Sequence, residues 1–281
     1  MPPTVIQTIA HPTDFSPASE RAFAHALCLA LTTRSRLFLL HVKARGEVDS
    51  WSSFPHVREM LARWGLMGAN EPTAAIETKL GVTVAKVEIE HHDPTSGLTE
   101  FILGHRPDLL VLATHGREGL GRWLAGSVSE ATARRTHVPT LFIGPEALGF
   151  VDAMSGEMRL HRVLLPIAHQ PPALRAFGTL AGLLDGLGTP ASAIHVMHIG
   201  DTVPAFETPP GIEPPQVDLE TGPVVDTIIG AAERLLSDLI AMPTAGHRGV
   251  LDALRGSTTE QVLRHAPCPL LALPAPPATS P

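Results

Sequence analysis

"LLVLATHGREGLGRWLAGSVSEATARRTHVP", residues 109–139, is the stretch from which the fold is most readily predicted. Its apolar run ends at Ala113, which is typical of a short buried strand. Glycine-rich sequence follows, and Ser127-Val-Ser-Glu130 then matches a capping box, the usual start of a helix. The stretch therefore predicts a strand, a loop and a helix. Its glycines either cradle a phosphate or only form a turn.

The same pattern recurs later in the chain. Asp108, Gly116, Gly126-Ser127 and Pro139 are matched by Asp238, Gly246, Gly256-Ser257 and Pro269, always 130 residues downstream. Upstream, "VIQTIAHPTDFSPASERAF" is similar to "RVLLPIAHQPPALRAF", at an offset of 154 residues. The chain thus contains an internal repeat. Between the first strand–helix turn and the glycine-rich stretch, the second copy is 24 residues shorter than the first.

Each copy alternates strands with helices, which predicts an α/β fold. A helix is predicted over Ser16–Thr32, with Ser16 as N-cap and Pro17 at the first helical position. Near-continuous apolar strands indicate a parallel sheet buried on both faces, so we expect two tandem doubly wound, mainly parallel five-stranded sheets. The predicted strands of the first copy are Val5–Ile9, Leu37–Val42, Val82–Ile89, Leu109–Ala113 and Thr140–Ile143.

The predicted domains are residues 1–147 and 159–276. Residues 49–81 are expected to add helical structure after the second strand of the first copy. The corresponding "GDTVPAFETPPGIEPPQ" holds five prolines and cannot form a regular helix. The second domain is therefore expected to lack a helix that the first one has.

Composition narrows the function classes. A formal net charge of -7 argues against nucleic acid as a partner. No apolar run is long enough to span a membrane, and no signal-peptide pattern opens the sequence. Two cysteines far apart predict a reducing compartment without disulfides. We expect a cytoplasmic protein.

Two phosphate-binding motifs fit the glycines poorly. Residues 116–123, "GREGLGRW", have the glycine spacing of a P-loop, but Arg122 replaces its lysine and Trp123 replaces its Ser/Thr. A dinucleotide-binding G-x-G-x-x-G also fails, because no third glycine follows Gly121 at the required spacing. Capping and turn formation alone remain a sufficient explanation of Gly116, Gly126 and Ser127.

The repeated pattern is similar to a known family. Gly116-x9-Gly126-Ser127 resembles the second part of the G-x2-G-x9-G-[ST] signature of the universal stress proteins. "PTDFS" at residues 12–16 resembles the family's first strand–helix turn, and "HHDPTSGLTEFI" from His91 resembles its Asp-Pro turn before a helix. The resemblance covers nearly the whole chain twice, so the chain resembles a tandem, two-domain universal stress protein with the adenine nucleotide alpha hydrolase-like fold.

This resemblance implies an ATP or AMP site in the first copy, with the question of an accompanying Mg²⁺ left open. Asp14 would accept from ribose hydroxyls, Val42 would pair its backbone with adenine, and the helix start at Ser127 would face the phosphates. The nucleotide-binding residues that it implies are Thr13, Asp14, Val42, Ala113, His115, Gly116, Arg117, Gly126, Ser127, Val128 and Ser129.

The chain departs from the family pattern at informative positions. Ala113 stands where the signature has its first glycine. In the second copy that position is Pro243, and Ala168 stands where the first copy has Asp14. A nucleotide site is therefore expected in the first copy, and a degenerate or structural role in the second.

Other functions stay open. The cluster Glu90-His91-His92-Asp93, joined by His41, and the set His169, His195 and His198 are candidate metal ligands without diagnostic spacing. No catalytic residue is predicted, so the alternatives to a stress or signalling module are a scaffold that binds no nucleotide and a slow ATPase. The apolar last strands predict an intramolecular pseudo-dimer of the two domains, and pairing of two chains as a homodimer is a further expectation.

Overall fold

The computed structural model describes residues 6–47, 51–68, 70–114, 128–144, 147–170, 173–244 and 258–275. They fall into two compact units. The first unit comprises Ile6–Pro145 together with Gly149–Arg159, and the second is built around Leu160–Pro281. Each unit alternates strands and helices, as the sequence predicts.

Five strands and five helices of the first unit lie in the described residues. The strands are β1 (Thr8–Pro12), β2 (Arg36–Lys43), β3 (Thr83–Glu90), β4 (Leu109–Ala113) and β5 (Thr140–Ile143). The helices are α1 (Pro17–Thr33), α2 (Val57–Arg63), α3 (Ala74–Leu80), α4 (Pro94–His105) and α5 (Val128–Thr136). All neighbouring strands pair in parallel, in the order β3-β2-β1-β4-β5.

The second unit repeats this arrangement with fewer helices in its described residues. Its strands are β6 (Val163–Pro166), β7 (Ile194–Ile199), β8 (Val217–Glu220), β9 (Leu239–Thr244) and β10 (Leu270–Pro274). Its helices are α6 (Ala176–Gly186), α7 (Val224–Arg234) and α8 (Thr258–His265). The strands are again parallel, in the order β8-β7-β6-β9-β10. The α/β class with parallel, doubly wound strands is confirmed.

Burial explains why the central strands read as continuous apolar runs. The residues of β5 and β6 are all buried, as are the first four of β4 and of β10. The edge strand β3 has no fully buried residue. Helices covering both faces of the sheet leave no solvent-facing side on the central strands.

The first strand lies three residues later than the prediction. It spans Thr8–Pro12 rather than Val5–Ile9, and pairs with β2 from Thr8↔Arg36 to Pro12↔Leu40. Its start is fixed by Asp108, whose Oδ2 accepts from the backbone N–H groups of Gln7 and Thr8 at 2.9 Å each. The predicted apolar run ends at Ile9, whereas the strand continues through His11, which is polar but fully buried.

The segment after β2 differs between the units. In the first unit it forms α2 and α3, in agreement with the predicted helical structure. In the second unit, residues 200–216 contain no helix, as their prolines predict. In the first unit, helices therefore follow the second strand. At the corresponding place in the second unit, residues 200–216 supply no helix.

Candidate functional site

The turn between β1 and α1 is held by its own polar groups. The N–H of Thr13 donates to Leu40 O at 2.7 Å. The hydroxyl of buried Thr13 accepts from Phe15 N at 3.1 Å and from Ser19 Oγ at 2.9 Å. Asp14 Oδ1 accepts from Ser16 N at 3.0 Å. These bonds fix the position of the Asp14 carboxylate where the sheet ends.

Helix α1 begins as predicted from the sequence. Ser16 is the N-cap, and its hydroxyl accepts from Ser19 N at 3.2 Å. Pro17 occupies the first helical position, where a missing N–H costs no hydrogen bond. The cap prediction is confirmed, and it ties the turn that carries Asp14 to a rigid helix.

Phe15 takes a left-handed backbone conformation, with φ of 63°. Bulky residues rarely adopt this conformation, because their Cβ crowds the backbone. The Phe15 ring packs on His41, with centroids 4.2 Å apart, and meets Phe54 edge-on at 5.4 Å. These ring contacts offset the strain and hold the turn in one shape.

The second strand reaches past its neighbour at this edge. Its last registered pair with β1 is Pro12↔Leu40, but it continues to Lys43 along β3, where Val42 pairs with Ile89. His41 Nδ1 donates to Thr13 O at 2.8 Å. Val42 is half-buried and follows directly, so its backbone lies beside the turn.

The fourth strand ends beside the start of α5. Ala113 is half-buried, and its carbonyl accepts from Ser129 Oγ at 2.9 Å. Thr114 N donates to Ile143 O at 3.1 Å, which continues the pairing with β5. A phosphate contact by the Ser129 hydroxyl would have to break its bond to Ala113. The backbone N–H groups of the first helical turn have no such competitor within the helix.

A buried histidine, His11, links the turn between β1 and α1 to the strand β4. His11 Nδ1 donates to Val111 O at 2.9 Å, and its Nε2 lies 3.4 Å from Ser19 Oγ. Burial lowers the pKa of His11 to about 4, although Asp14 and the hydrogen bonds oppose this shift. His11 is therefore neutral at pH 7 and links β1, β4 and α1 without adding a charge beneath Asp14.

The predicted site residues can now be placed. Thr13, Asp14, Val42 and Ala113 lie at the carboxyl ends of the adjacent strands β2, β1 and β4. Val128 and Ser129 open α5, and Ser129 contacts Ala113. The other predicted residues lie outside the described residues: His115, Gly116, Arg117, Gly126 and Ser127.

The second unit keeps the backbone contacts of this edge. Ile167 N donates to Met197 O at 2.8 Å, and His198 Nδ1 donates to Ile167 O at 2.9 Å. Ile167 and His198 thus repeat the contacts of Thr13 and His41. A histidine recurs at the end of the second strand in both copies, and this recurrence could have indicated that it bonds to the first turn. The metal hypothesis assigned both histidines a different role.

Within its described residues, the second unit lacks the carboxylate and the helix cap that the first unit has at this turn. Ala168 follows Ile167 and offers no carboxylate. Helix α6 begins only at Ala176, the counterpart of Ala22, and no side chain caps it. Pro243 lies near the end of β9. The other motif residues of the second unit lie outside the described residues: Gly246, Gly256 and Ser257.

Members of both candidate metal clusters have other contacts in the structure, and His198 donates to Ile167 O. The rings of His91 and His92 stack at 4.4 Å, while Asp93 caps α4 by accepting from Thr95 N and Ser96 N. His41 is turned to Thr13 O. Within the described residues, no three His, Cys, Asp or Glu side chains are grouped so that they could hold a metal ion.

Both cysteines are buried and free. Burial raises the pKa of the Cys28 thiol to about 11 and that of Cys268 to about 12. Both thiols are therefore protonated at neutral pH, which makes them poor nucleophiles. Among the described helices, none combines the length and the apolar character needed to cross a bilayer.

Comparisons with known proteins agree with this architecture. The family model "Universal stress protein family" matches residues 6–144 and 205–274. A universal stress protein of Methanocaldococcus jannaschii is 28% identical over 135 residues, covering 47% of this chain and 78% of that protein.

Solved structures share the fold over nearly the full length. A universal stress protein from Archaeoglobus fulgidus superimposes with a TM-score of 0.61 at 18% identity, over 97% of this chain and 98% of that one. A functionally unknown protein from Pseudomonas aeruginosa does so with a TM-score of 0.62 at 16% identity, over 96% and 93% of the two chains. Because the family model matches most of the residues in both copies, this chain belongs to the universal stress protein family.

Proposed function

We propose that the first unit binds an adenine nucleotide, ATP or AMP, and that the protein acts as a nucleotide-binding stress or signalling module. The observation that carries this proposal is the position of Asp14. Its carboxylate is held where β1 ends, between the ends of β2 and β4. In open parallel sheets, ligands bind at the switch point, which lies here between β1 and β4, because the connections after these two adjacent strands run in opposite directions.

The groups around this point match the parts of a nucleotide. The Asp14 carboxylate can accept hydrogen bonds from two ribose hydroxyls. The backbone of Val42, beyond the last pair with β1, can pair with the edge of adenine. The first turn of α5 offers N–H groups and the positive end of a helix dipole to phosphate.

Two features of β4 and α5 shape how phosphate would be held. Ala113 carries a methyl group where the family signature has a glycine. The Ser129 hydroxyl donates a hydrogen bond to Ala113 O. Phosphate recognition therefore rests on backbone N–H groups at the helix start and on residues 115–127, rather than on the Ser129 hydroxyl. A Mg²⁺ ion bound with the nucleotide would reduce the charge that these groups must balance.

Calorimetric titration with ATP, ADP and AMP, with and without Mg²⁺, tests this proposal. We expect saturable heat for the wild type and at least a tenfold weaker affinity for Asp14→Ala, since a carboxylate that accepts two hydrogen bonds is lost. Glu77→Ala, an exposed change on α3, is the matched control and should bind like the wild type. Absence of heat at millimolar nucleotide would contradict the proposal.

A scaffold that binds no nucleotide is the second candidate. Two features favour a scaffold. The Ala113 methyl group and the hydrogen bond from Ser129 Oγ to Ala113 O both reduce the room for phosphate beside α5. Nucleotide released from the freshly purified protein by heat denaturation would contradict the scaffold function. Phosphate release that is abolished by Asp14→Ala would instead indicate a slow ATPase.

A further inference from the structure

A cavity lies in the first unit between the start of α1 and the segment that leads into α2. Its volume is about 270 Å³. Phe15, Phe23, Phe54 and Met60 line it, and the last three are at most 5% exposed. Of the six described residues assigned to the nucleotide site, Thr13 lies in the cavity lining. The cavity thus borders the turn that carries Asp14, and its lining combines apolar and polar side chains.

Its size suits a small organic molecule. An engineered protein cavity of about 150 Å³ lined by apolar side chains binds benzene. A space of about 270 Å³ has room for one aromatic ring with a short side chain. The half-buried ring of Phe15 offers the contact that an aromatic ligand prefers, and the fully buried Phe54 supports this ring edge-on at 5.4 Å.

The second unit shows which groups pack on this part of the fold. Phe177 is the counterpart of Phe23, and Phe206 packs on it with ring centroids 5.9 Å apart. Beside it, a Cβ atom at Gly178 would lie 3.2 Å from Pro209 Cγ. Phe206 and Pro209 belong to the helix-free segment after β7, so the chain itself supplies an aromatic ring and a proline there. In the first unit, the helical segment leaves a space instead.

The mouth of the cavity carries a negative excess. Glu20 extends from α1 and Glu59 from α2, so the two walls each contribute a carboxylate. Among the described lining residues, Arg63 supplies one guanidinium, and His56 Nδ1 lies 3.6 Å from Glu59 Oε1. Two carboxylates against this guanidinium favour a cationic group at the mouth, where the Phe15 ring adds cation–π attraction. The Phe54 ring already has a cation beside it, since Lys86 Nζ lies 5.7 Å from its centroid.

We propose that this cavity is a binding site for a small amine with an aromatic body. The aromatic body lies in the cavity against the half-buried ring of Phe15, and the ammonium group lies at the mouth between Glu20 and Glu59. This site goes beyond the proposed nucleotide function and does not depend on it. The strained backbone of Phe15, which separates Asp14 from the capped start of α1, is consistent with a turn shaped for ligands.

Saturation-transfer NMR with three matched probes tests the site. The probes are 2-phenylethylamine, the neutral 2-phenylethanol and the anionic phenylacetate, each added to the full-length protein without nucleotide. We expect ring saturation for the amine, a weaker signal for the alcohol and none for the acid. Absence of signal from all three would overturn the cavity as a ligand site, and equal signals would overturn the assignment to amines.

Rim variants locate the bound amine. Glu20→Gln and Glu59→Gln should each weaken 2-phenylethylamine about threefold, because each removes one partly solvated charge. Glu77→Gln on α3 is the control and should leave its affinity unchanged. Ser53→Phe, at an exposed lining position, should fill the mouth and lower the affinity at least tenfold with an unchanged melting temperature. Unchanged affinity in the two rim variants together with Ser53→Phe would overturn the proposal.

Discussion

In the first unit, β1 is followed by Thr13, Asp14 and a capped helix that begins at Pro17. In the second, β6 is followed by Ile167 and Ala168, and its helix begins only at Ala176. The two units nevertheless share their strand order and the histidine bond between the end of the second strand and the first turn. The backbone contacts at this edge of the sheet are thus kept in both copies, whereas within the described residues the turn carboxylate and the capped helix start are present in the first copy and not in the second.

Removing the matched core rings should have the largest effect. Phe23→Ala and Phe177→Ala are each expected to cost about 3–5 kcal/mol of unfolding free energy. Phe177 should lie at the upper end, because Phe206 packs on it, whereas Phe23 borders an existing cavity and loses fewer contacts.

Denaturant unfolding can assign each loss to its unit. The chain's three tryptophans all lie in the first copy, so tryptophan fluorescence follows the first unit, whereas circular dichroism follows both. A larger loss for Phe23→Ala than for Phe177→Ala would contradict the difference in packing.

Acid should destabilise the first unit through two buried histidines. Burial lowers the pKa of both His11 and His25 to about 4. Between about pH 6.5 and pH 4 the unfolded chain binds protons that the folded chain does not, so stability falls as the pH falls. Stability should be flat from about pH 6.5 to about pH 8, below the range in which the thiols titrate, and should fall by up to about 3 kcal/mol per histidine between about pH 6.5 and pH 4.

Fluorescence-monitored unfolding across this pH range gives the measurement. His25 Nδ1 donates to Arg21 O, and its Nε2 accepts from Val151 N at 3.3 Å. His25→Gln removes the titrating group, so its stability should depend less steeply on pH. A slope equal to that of the wild type would show that His25 is not a source of the acid sensitivity.

The extent of sequence prediction follows from which contacts are local. The bounds of β4 and β5 and the cap at Ser16 were predicted, because each depends on neighbouring residues. The start of β1 was not, because it depends on Asp108, a hundred residues away. The packing of residues 149–159 on the first unit, where Trp64 Nε1 donates to Ala153 O at 3.1 Å, also has no local signal.

The candidate site was predictable in the same uneven way. Asp14 and Ala113 stood out because a resemblance and an internal repeat marked their positions. The use of the Ser129 hydroxyl by Ala113 O could not be predicted, since it depends on how α5 lies against β4. The cavity beside Phe54 is likewise a product of helix packing rather than of any motif.

A carboxylate clasp should contribute equally in the two copies. Asp108 accepts from two backbone N–H groups before β1, and Asp238 Oδ2 accepts from His161 N and Arg162 N at 2.8 and 2.9 Å. Asp108→Ala and Asp238→Ala should each lower the unfolding free energy by about 1–2 kcal/mol, as expected for partly exposed charged hydrogen bonds. Unequal losses of unfolding free energy in urea would show that this contact does not contribute equally to the two copies.

The smallest expected difference concerns the first helix of each unit. Ser16→Ala should cost about 1 kcal/mol, because it removes the acceptor of Ser19 N. Gln170→Ala, the counterpart at an exposed position, should change stability by less than about 0.5 kcal/mol. Thermal unfolding of the two variants side by side checks this, and a loss at Gln170 as large as that at Ser16 would contradict the assignment of the cap to one copy.

The stoichiometry of ATP binding tests the central claim most directly. Calorimetry on the wild type, Asp14→Ala and Glu77→Ala would count sites per chain and locate them. We predict one nucleotide per chain, retained by Glu77→Ala and lost with Asp14→Ala. Two nucleotides per chain, or a single site that survives Asp14→Ala, would contradict the proposal that the first unit alone binds the nucleotide.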